Sequence, residues 1–163
     1  AKGETLRYTL TTEGELVDYK SCALRDLGLE SIQDRVEFYQ GDACNLKPHF
    51  TAYDFIFASN LIDRLYSPSK FLKQIHERLN IGGVLMLASP YTWLEEHTPR
   101  EEWIGGFKKD GENFTTLDGL HALLDQHFRL ISPPQKTPFV IRETAHKFQH
   151  TLSDVTFWER INE

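Results

Sequence analysis

Two short runs near the start of the chain alternate between apolar and polar residues. Leu6 to Leu10 and Glu15 to Tyr19 flank the segment TTEG. Because Gly14 readily takes the positive φ that a tight reversal needs, the pattern predicts a hairpin. The apolar positions that follow predict a short helix over Leu24 to Ile32 and a strand over Val36 to Tyr39.

The middle of the chain has the pattern of a strand, a helix and a second strand. The run YDFIFA, Tyr53 to Ala58, is typical of a strand buried on both faces of a parallel sheet. Ser67 can cap an amphipathic helix that has Pro68 at its first position and ends before Gly82. The run VLMLAS predicts a buried strand over Val84 to Ala88, and a right-handed crossover would make the two strands parallel neighbours. The apolar positions of the helix are Phe71, Leu72, Ile75 and Leu79.

The last third of the chain predicts a mixed arrangement. Gly105 to Asn113 is polar and rich in glycine, which predicts a loop, and the leucines of residues 117–127 predict a helix. Prolines interrupt the first two of the three apolar segments that follow, which favours a long antiparallel ribbon at one edge of the sheet. The whole pattern predicts an α/β layered fold. The three segments are Phe128–Ile131, Phe139–Ile141 and Val155–Trp158.

Composition and charge narrow the class of protein. With 163 residues, 40% of them hydrophobic and 26% charged, the chain is expected to form one globular domain over residues 1–163. A formal net charge of -6 disfavours binding to nucleic acid, which needs a basic face, and suits a small cationic ligand.

Apolar runs fall far short of the roughly 20 residues of a membrane span. No targeting peptide is visible, and Cys22 and Cys44 lack CxxC spacing, so we expect a cytoplasmic protein with reduced thiols.

Polar and aromatic residues follow three consecutive predicted strands. Ligands of open parallel sheets bind outside the carboxyl ends of the strands, so these residues are the candidates for chemistry. They are Gly41, Asp42 and Ala43 after the first strand, Ser59, Asn60, Leu61, Asp63 and Arg64 after the second, and Ser89, Pro90, Tyr91, Thr92 and Trp93 after the third.

The motifs at these strand ends resemble a known class of enzyme. GDACNL followed by YDFIFASNLIDRLYSPSKFLKQIHERLNIGGVLMLASP is similar to the later motifs of class I S-adenosylmethionine-dependent methyltransferases. A longer resemblance runs from about Leu6 to Arg160. Its motifs QGDACNL, SNLIDRLYSP, ASPYTWLEEHTPREEWIGGF and PFVIRETAHKFQHTLSDVTFWER resemble the methyltransferase domain of ovothiol-biosynthesis enzymes. The resemblance implies a Rossmann-like three-layer sandwich and methyl transfer from S-adenosylmethionine to an imidazole nitrogen of 5-thiohistidine.

The resemblance also implies which residues contact the cofactor. In the family, the acidic residue that matches Asp42 faces the adenine, and its neighbours Gly41 and Ala43 belong to the same turn. Asn60 and Leu61 end the next strand, where the amide of Asn60 can reach the methionine part of the cofactor or the acceptor. The alternatives are an Asx-type turn for Asp42 and a helix cap or turn for Asn60.

Other candidates would handle the acceptor. A carboxylate at Asp63 could fix the tautomer of a substrate imidazole, while Arg64 is either a substrate ligand or half of an exposed ion pair. Tyr91 is a catalytic candidate whose ring could face the sulfonium, and Trp93 could wall the substrate. Core packing is the alternative for both rings, more strongly for Trp93. A free amino acid also needs a cation and an anion, for which Arg142 and Glu143 are the candidates.

Other chemistries find little support. Among seven histidines only His146 and His150 have i, i+4 spacing, with no third ligand at a recognised offset, so we expect no metal. There is no GxSxG motif for a hydrolase. Two further hypotheses remain open, which are methyl transfer to another small amine or thiol and a non-catalytic domain that binds or assembles.

One expected motif does not occur before Asp42. Class I methyltransferases begin with a strand and a glycine-rich turn that cradles the cofactor. We therefore expect a chain that lacks the first βαβ unit and a predicted strand, Tyr53 to Ala58, with an open edge. A preceding segment or a second copy in a homo-oligomer would complete the sheet.

Overall fold

The structure, a computed structural model, describes residues 5–162 and has two compact units. The first unit comprises the chain up to Gln40 together with residues 140–150. It contains the predicted hairpin, in which β1 (Leu6–Glu13) and β2 (Leu16–Cys22) pair antiparallel. Gly14 has a φ of 54° in the turn, as the prediction requires.

Two predictions for this unit were wrong. The helix expected over residues 24–32 is replaced by two 3-10 helices, Leu24–Leu27 and Glu30–Arg35, because Gly28 between them adopts a left-handed conformation with φ 69°. Val36 to Tyr39 is not a strand. A strand needs a partner for its backbone N–H and C=O groups, and no strand of residues 5–162 pairs with this segment.

The second unit, residues 41–139 and 151–163, is built on a five-stranded sheet. β3 (Tyr53–Ser59) and β4 (Leu79–Ser89) are parallel neighbours, which confirms the predicted pairing of these two strands. β9 (Phe148–Arg160) pairs antiparallel with β4 and with β7 (Phe128–Leu130). β8 (Gln135–Arg142) also pairs with β9, and β3 lies at the sheet edge as expected.

The helix between β3 and β4 is shorter than predicted. α1 spans Pro68–Gln74, a 3-10 helix follows over Ile75–Arg78, and Leu79 already belongs to β4. Leu79 pairs with Tyr53 on β3, so sheet pairing ends the helix early. Ser67 does not cap the helix, because its hydroxyl donates instead to the Glu102 carboxylate at 2.8 Å.

The polar segment predicted as a loop is a small hairpin. β5 (Phe107–Lys109) and β6 (Glu112–Phe114) pair antiparallel across Asp110 and Gly111, whose φ angles are 52° and 88°. An Asp-Gly pair with both φ angles positive is a favoured two-residue hairpin turn. The Asp-Gly dipeptide was therefore the signal that the prediction missed.

The second predicted helix is present as α2 (Thr116–Leu124). Thr115 and Asp118 form a reciprocal capping box at its start, in which the Asp118 amide donates to the Thr115 hydroxyl at 3.2 Å. Gly119 lets the helix approach the preceding chain, since a β-carbon there would lie 1.6 Å from the Ile104 carbonyl oxygen. Any larger residue would push α2 away from this segment.

The hydrophobic core of the second unit lies between the sheet and the two helices. Leu85 and Trp158 are opposite each other on β4 and β9 and are fully buried. They belong to one cluster with Leu72 of α1 and Leu120 of α2. The described helices therefore cover one face of the sheet and supply two layers of the predicted three-layer sandwich, and the α/β class is confirmed. The other face carries the register-paired row Phe57, Met86 and Phe157.

A pair of histidines stacks beside this core. The rings of His76 and His127 lie 3.8 Å apart between centroids and are nearly parallel. Burial lowers the pKa of His76, and the nearby His127 lowers it further, while Glu77 opposes both effects. His76 is therefore held in its neutral form by the fold. None of the helices in the described part of the chain has the length and apolar character that crossing a bilayer requires.

This pair predicts a pH dependence of stability. Because the folded pKa of His76 lies below its ordinary value of about 6.5, the unfolded chain binds more protons in the window beneath that value. The free energy of unfolding should therefore fall as pH drops from about 7 to 5. Urea unfolding of His76→Gln should show a flatter dependence across this window, whereas His150→Gln, at an exposed position, should leave the wild-type slope. An identical slope in wild type and His76→Gln would contradict the assignment.

Candidate active site

Two non-glycine residues with left-handed backbone follow the neighbouring parallel strands. Asn60, directly after β3, has φ 50°, and Tyr91, two residues after β4, has φ 53°. The backbone N–H of Asn60 donates to the Ala88 carbonyl of β4 at 2.7 Å, which holds the two strand ends together. Such conformations cost about 1–3 kcal/mol each and cluster at functional sites. The structure thus places two of the predicted site residues at the carboxyl ends of two neighbouring strands.

The Asp63 carboxylate is buried and joins the loops that follow these two strands. Its side chain is 1% exposed. Oδ1 accepts a hydrogen bond from the Ser89 hydroxyl at 2.9 Å. Oδ2 accepts bonds from the Thr92 hydroxyl at 2.8 Å, the Thr92 amide at 3.2 Å and the Arg64 guanidinium at 2.9 Å. Four donors therefore occupy the carboxylate, which fixes the loop after β4 against the loop after β3. The catalytic role of Asp63 stays a prediction.

Arg64 is engaged by the same loops. Its Nη1 donates to the backbone carbonyls of Asp63 at 2.8 Å and Thr92 at 3.0 Å, and Nη2 donates to the Thr92 hydroxyl at 2.9 Å. Its side chain is 38% exposed. The alternative of an ion pair is therefore present, with a buried carboxylate rather than an exposed one. Substrate binding by Arg64 stays a prediction.

The phenol of Tyr91 has a raised pKa. The Tyr91 backbone amide donates to the Ser89 hydroxyl at 3.1 Å, and the side chain is half-buried. Burial raises the pKa of the Tyr91 phenol well above its ordinary value, and the negative charges of Asp154 and Asp63 raise it further. The phenol is therefore neutral near pH 7, able to donate a hydrogen bond or present its ring.

The antiparallel strand β9 contributes residues that the sequence analysis missed. The Ser153 hydroxyl donates to Asn60 Oδ1 at 3.2 Å, and Asp154 pairs in register with Ser89. Candidates predicted from the carboxyl ends of parallel strands do not include Ser153 or Asp154. Because β9 runs antiparallel to β4, its amino-terminal half lies beside the carboxyl end of β4. The adjacent polar residues Ser153 and Asp154 in that half were the signal for these site residues. Ser89 and Thr92, which hold Asp63, were among the predicted strand-end residues, but the sequence indicated no role for them because polar residues in turns carry no distinctive pattern.

Asp42 caps a short turn, as its alternative interpretation stated. Its Oδ1 accepts a hydrogen bond from the Cys44 amide at 2.8 Å at the start of the 3-10 helix Ala43–Asn45. Its Oδ2 accepts a bond from the Tyr66 hydroxyl at 2.9 Å, and this bond raises the pKa of Tyr66 to about 12. The carboxylate remains exposed, as does Gly41, and each oxygen has a further lone pair. Adenine binding by this turn stays a prediction.

Trp93 lies in the hydrophobic core. It is 8% exposed, and its indole N–H donates to the Thr116 hydroxyl at 2.9 Å. Its ring stacks on Trp103 with centroids 6.2 Å apart. This packing matches the alternative that the sequence favoured more strongly for Trp93 than for Tyr91. Leu61 also packs partly against the core cluster.

The two remaining candidates belong to the first compact unit. Arg142 ends β8 and is exposed, with Nε donating to the Thr144 carbonyl at 3.1 Å. Glu143 follows it and pairs with Lys147. Their role toward a substrate stays a prediction. No group of three or more potential metal ligands occurs within residues 5–162.

Comparison with known proteins places this geometry in a family. A family model described as a methyltransferase domain matches residues 16–127, well over half of the chain. The chain belongs to this methyltransferase family. The match includes β3, β4 and the loops that carry Asn60 and Tyr91. No curated protein matches the chain.

Solved structures show the same fold at low identity. A protein described as a SAM-dependent methyltransferase from Methanosarcina mazei is 17% identical, with a TM-score of 0.52 over 85% of this chain and 79% of its own. A protein studied in the conversion of a disulfide bond into a thioacetal group during echinomycin biosynthesis is 13% identical, with a TM-score of 0.52 over 83% of this chain and 62% of its own. The [4+2]-cyclase SpnF is 14% identical, with a TM-score of 0.51 over 86% of this chain and 61% of its own. The chain thus spans about three-fifths of two of these proteins.

The methyltransferase family implies S-adenosylmethionine as the cofactor. Two exposed polar residues of the site have hydrogen-bonding groups of the kind that this cofactor needs. The exposed Asp42 carboxylate has lone pairs left to accept from an exocyclic amine. Asn60 is also exposed, and its Nδ2 has no hydrogen-bond partner among residues 5–162 while Oδ1 is held by Ser153. A hydrogen-bond acceptor at Asp42 and a free N–H donor at Asn60 are therefore available, and their contacts to adenine and to the methionine part of the cofactor stay predictions.

The Asp63 network predicts a large loss of stability on truncation. Asp63→Ala removes the acceptor of four donors and leaves Ser89 and Arg64 without a buried partner. We expect the free energy of unfolding in urea to fall by about 2–4 kcal/mol. Asp54→Ala is the matched control, because Asp54 is exposed and its carboxylate bonds only Asn80 among residues 5–162, at 2.7 Å; it should cost about 1 kcal/mol or less. Equal losses in the two variants would refute the structural role of Asp63.

The turn at Asp42 predicts an effect on cofactor affinity. If its carboxylate accepts the adenine amine, Asp42→Ala should weaken binding of S-adenosylhomocysteine by about 1–3 kcal/mol, measured by calorimetry on the full-length protein. Tyr66→Phe removes the internal bond to Asp42 while keeping the carboxylate, so it separates a distorted turn from a lost ligand contact. Unchanged affinity in Asp42→Ala would count against the adenine contact.

Proposed function

We propose that the protein is an S-adenosylmethionine-dependent N-methyltransferase whose acceptor is an imidazole nitrogen of 5-thiohistidine. The class rests on the methyltransferase model that matches residues 16–127 and includes the ends of β3 and β4. The acceptor rests on the resemblance of the motifs SNLIDRLYSP, ASPYTWLEE and VIRETAHKFQHTLSD to ovothiol-biosynthesis enzymes.

The chemistry needs orientation more than acid–base catalysis. When bound, S-adenosylmethionine supplies an activated methyl group on a positively charged sulfur. The protein must hold a neutral ring nitrogen in line with that group at close range. Asn60 and Tyr91 are suited to this task because their backbones are fixed by bonds to Ala88 and to the Ser89 hydroxyl. The neutral phenol of Tyr91 can hydrogen-bond the acceptor or face the positive charge.

The amino-acid part of the acceptor needs its own partners. Arg142 and Glu143 belong to the first compact unit, and their contact with a substrate carboxylate and amine stays a prediction that rests on the resemblance alone.

Direct turnover tests the proposal. The full-length protein is incubated with S-adenosylmethionine and 5-thiohistidine, and the products are analysed by mass spectrometry and NMR. We expect S-adenosylhomocysteine and a monomethylated product with the methyl on a ring nitrogen. Histidine is the matched control for the sulfur and should react more slowly. Methylation of another small amine or thiol, with no product from 5-thiohistidine, would overturn the acceptor. Absence of cofactor binding would overturn the class and favour a non-catalytic domain.

A further inference from the structure

Asp154 occupies a defined place at the candidate site. It lies on β9 directly opposite Ser89 of β4 in an antiparallel pair. Opposed residues in such a pair point to the same face of the sheet. The Asp154 side chain therefore shares a face with the Ser89 hydroxyl, which donates to the buried Asp63 carboxylate. It is thus directed to the same strand ends as the predicted catalytic residues.

The Asp154 carboxylate is unpartnered within the part of the chain that the structure describes. It is half-buried, yet no hydrogen bond or ion pair joins it to any residue of the described range 5–162. Asp63, by contrast, is saturated by four donors. A carboxylate that is partly removed from water loses hydration, and a positively charged or N–H-bearing ligand would compensate that loss.

The surrounding charges favour a ligand that becomes positive. Arg64, the cation in the loop after β3, is already bonded to Asp63 and Thr92. The Tyr91 phenol near Asp154 is kept neutral, with a pKa raised first by burial and then by the Asp154 and Asp63 charges. The Asp154 carboxylate therefore remains without a cationic partner among the described residues, close enough to Tyr91 to raise the pKa of its phenol.

We propose that Asp154 accepts a hydrogen bond from the ring N–H of the acceptor and stabilises the positive charge that the ring gains during methyl transfer. This inference rests on the proposed function and adds a catalytic residue to it. The carboxylate acts more strongly on the charged transition state than on the neutral substrate, which is the condition for an effect on rate.

The charge balance of the step explains why a carboxylate helps. The lone pair of the acceptor nitrogen forms the new N–CH3 bond while the S–CH3 bond breaks and its electron pair returns to sulfur. One positive charge thus passes from sulfur to the ring, whose other nitrogen still carries a proton. Asp154 accepts the hydrogen bond from that N–H, and the proton leaves to solvent after product release.

Asp154→Asn tests the inference because it keeps the size and an oxygen acceptor while removing the charge. In the full-length protein acting on 5-thiohistidine, we expect kcat to fall about 10²-fold, with KM and the Kd of S-adenosylhomocysteine within about threefold of wild type. Asp154→Glu should recover part of the loss. Asp54→Asn, the same change at the opposite end of β3, should leave all three constants unchanged.

Two kinetic outcomes would overturn the inference. A kcat within about threefold of wild type would show that the charge does not act on the transition state. A raised KM with unchanged kcat would show that Asp154 binds substrate and transition state equally, as expected for contact with a substrate amine.

A binding measurement separates failure of this inference from failure of the proposed function. If the wild type does not methylate 5-thiohistidine, the acceptor is wrong, and imidazolium ion becomes the probe at about pH 6 in the presence of S-adenosylhomocysteine. NMR titration should then show binding about tenfold tighter in wild type than in Asp154→Asn, a difference of about 1.4 kcal/mol. Equal affinities would overturn the role of Asp154 independently of the acceptor.

Discussion

The buried Asp63 carboxylate is the interaction on which the candidate site depends. An ionised group with 1% exposure is costly unless every oxygen finds donors, and here four donors come from the loops after two different strands. The loops can satisfy the charge only when both adopt the observed conformations. The cost of burial thus enforces the relative position of Asn60, which lies at one strand end, and Tyr91, which lies at the other.

This arrangement divides the carboxylates of the site by their surroundings. The Asp63 carboxylate has its hydrogen-bond donors within the protein. The Asp42 carboxylate accepts bonds from a backbone amide and a phenol and remains exposed to solvent. Asp154 alone keeps an unpaired charge beside Tyr91 among the described residues. Three residues of one chemical type are thereby suited to three tasks, which are holding loops, contacting a ligand in solvent and stabilising charge.

The sequence predicted the parts of the fold that follow from local pattern. The continuous apolar runs of β3 and β4 and the leucines of α2 carried enough signal to predict a parallel pair and a helix. Distant pairing was not visible in the same way. Leu79 fits the helical period of α1, yet it belongs to β4 because Tyr53, 26 positions earlier, pairs with it. Val36 to Tyr39 has the composition of a strand but no strand beside it. For the site, strand-end position found Asn60 and Tyr91 but missed Ser153 and Asp154, since these approach from an antiparallel strand.

The left-handed backbone of Asn60 has a consequence for how this position can change. Glycine adopts φ 50° without steric cost, and a stability-driven substitution would therefore favour glycine there. Glycine has no side-chain amide. It would therefore lose both the bond from the Ser153 hydroxyl to Oδ1 and the free Nδ2 donor. Natural selection for a more robust fold and selection for ligand recognition thus act in opposite directions at one residue. Asparagine is the compromise, because it tolerates this conformation better than most residues with side chains.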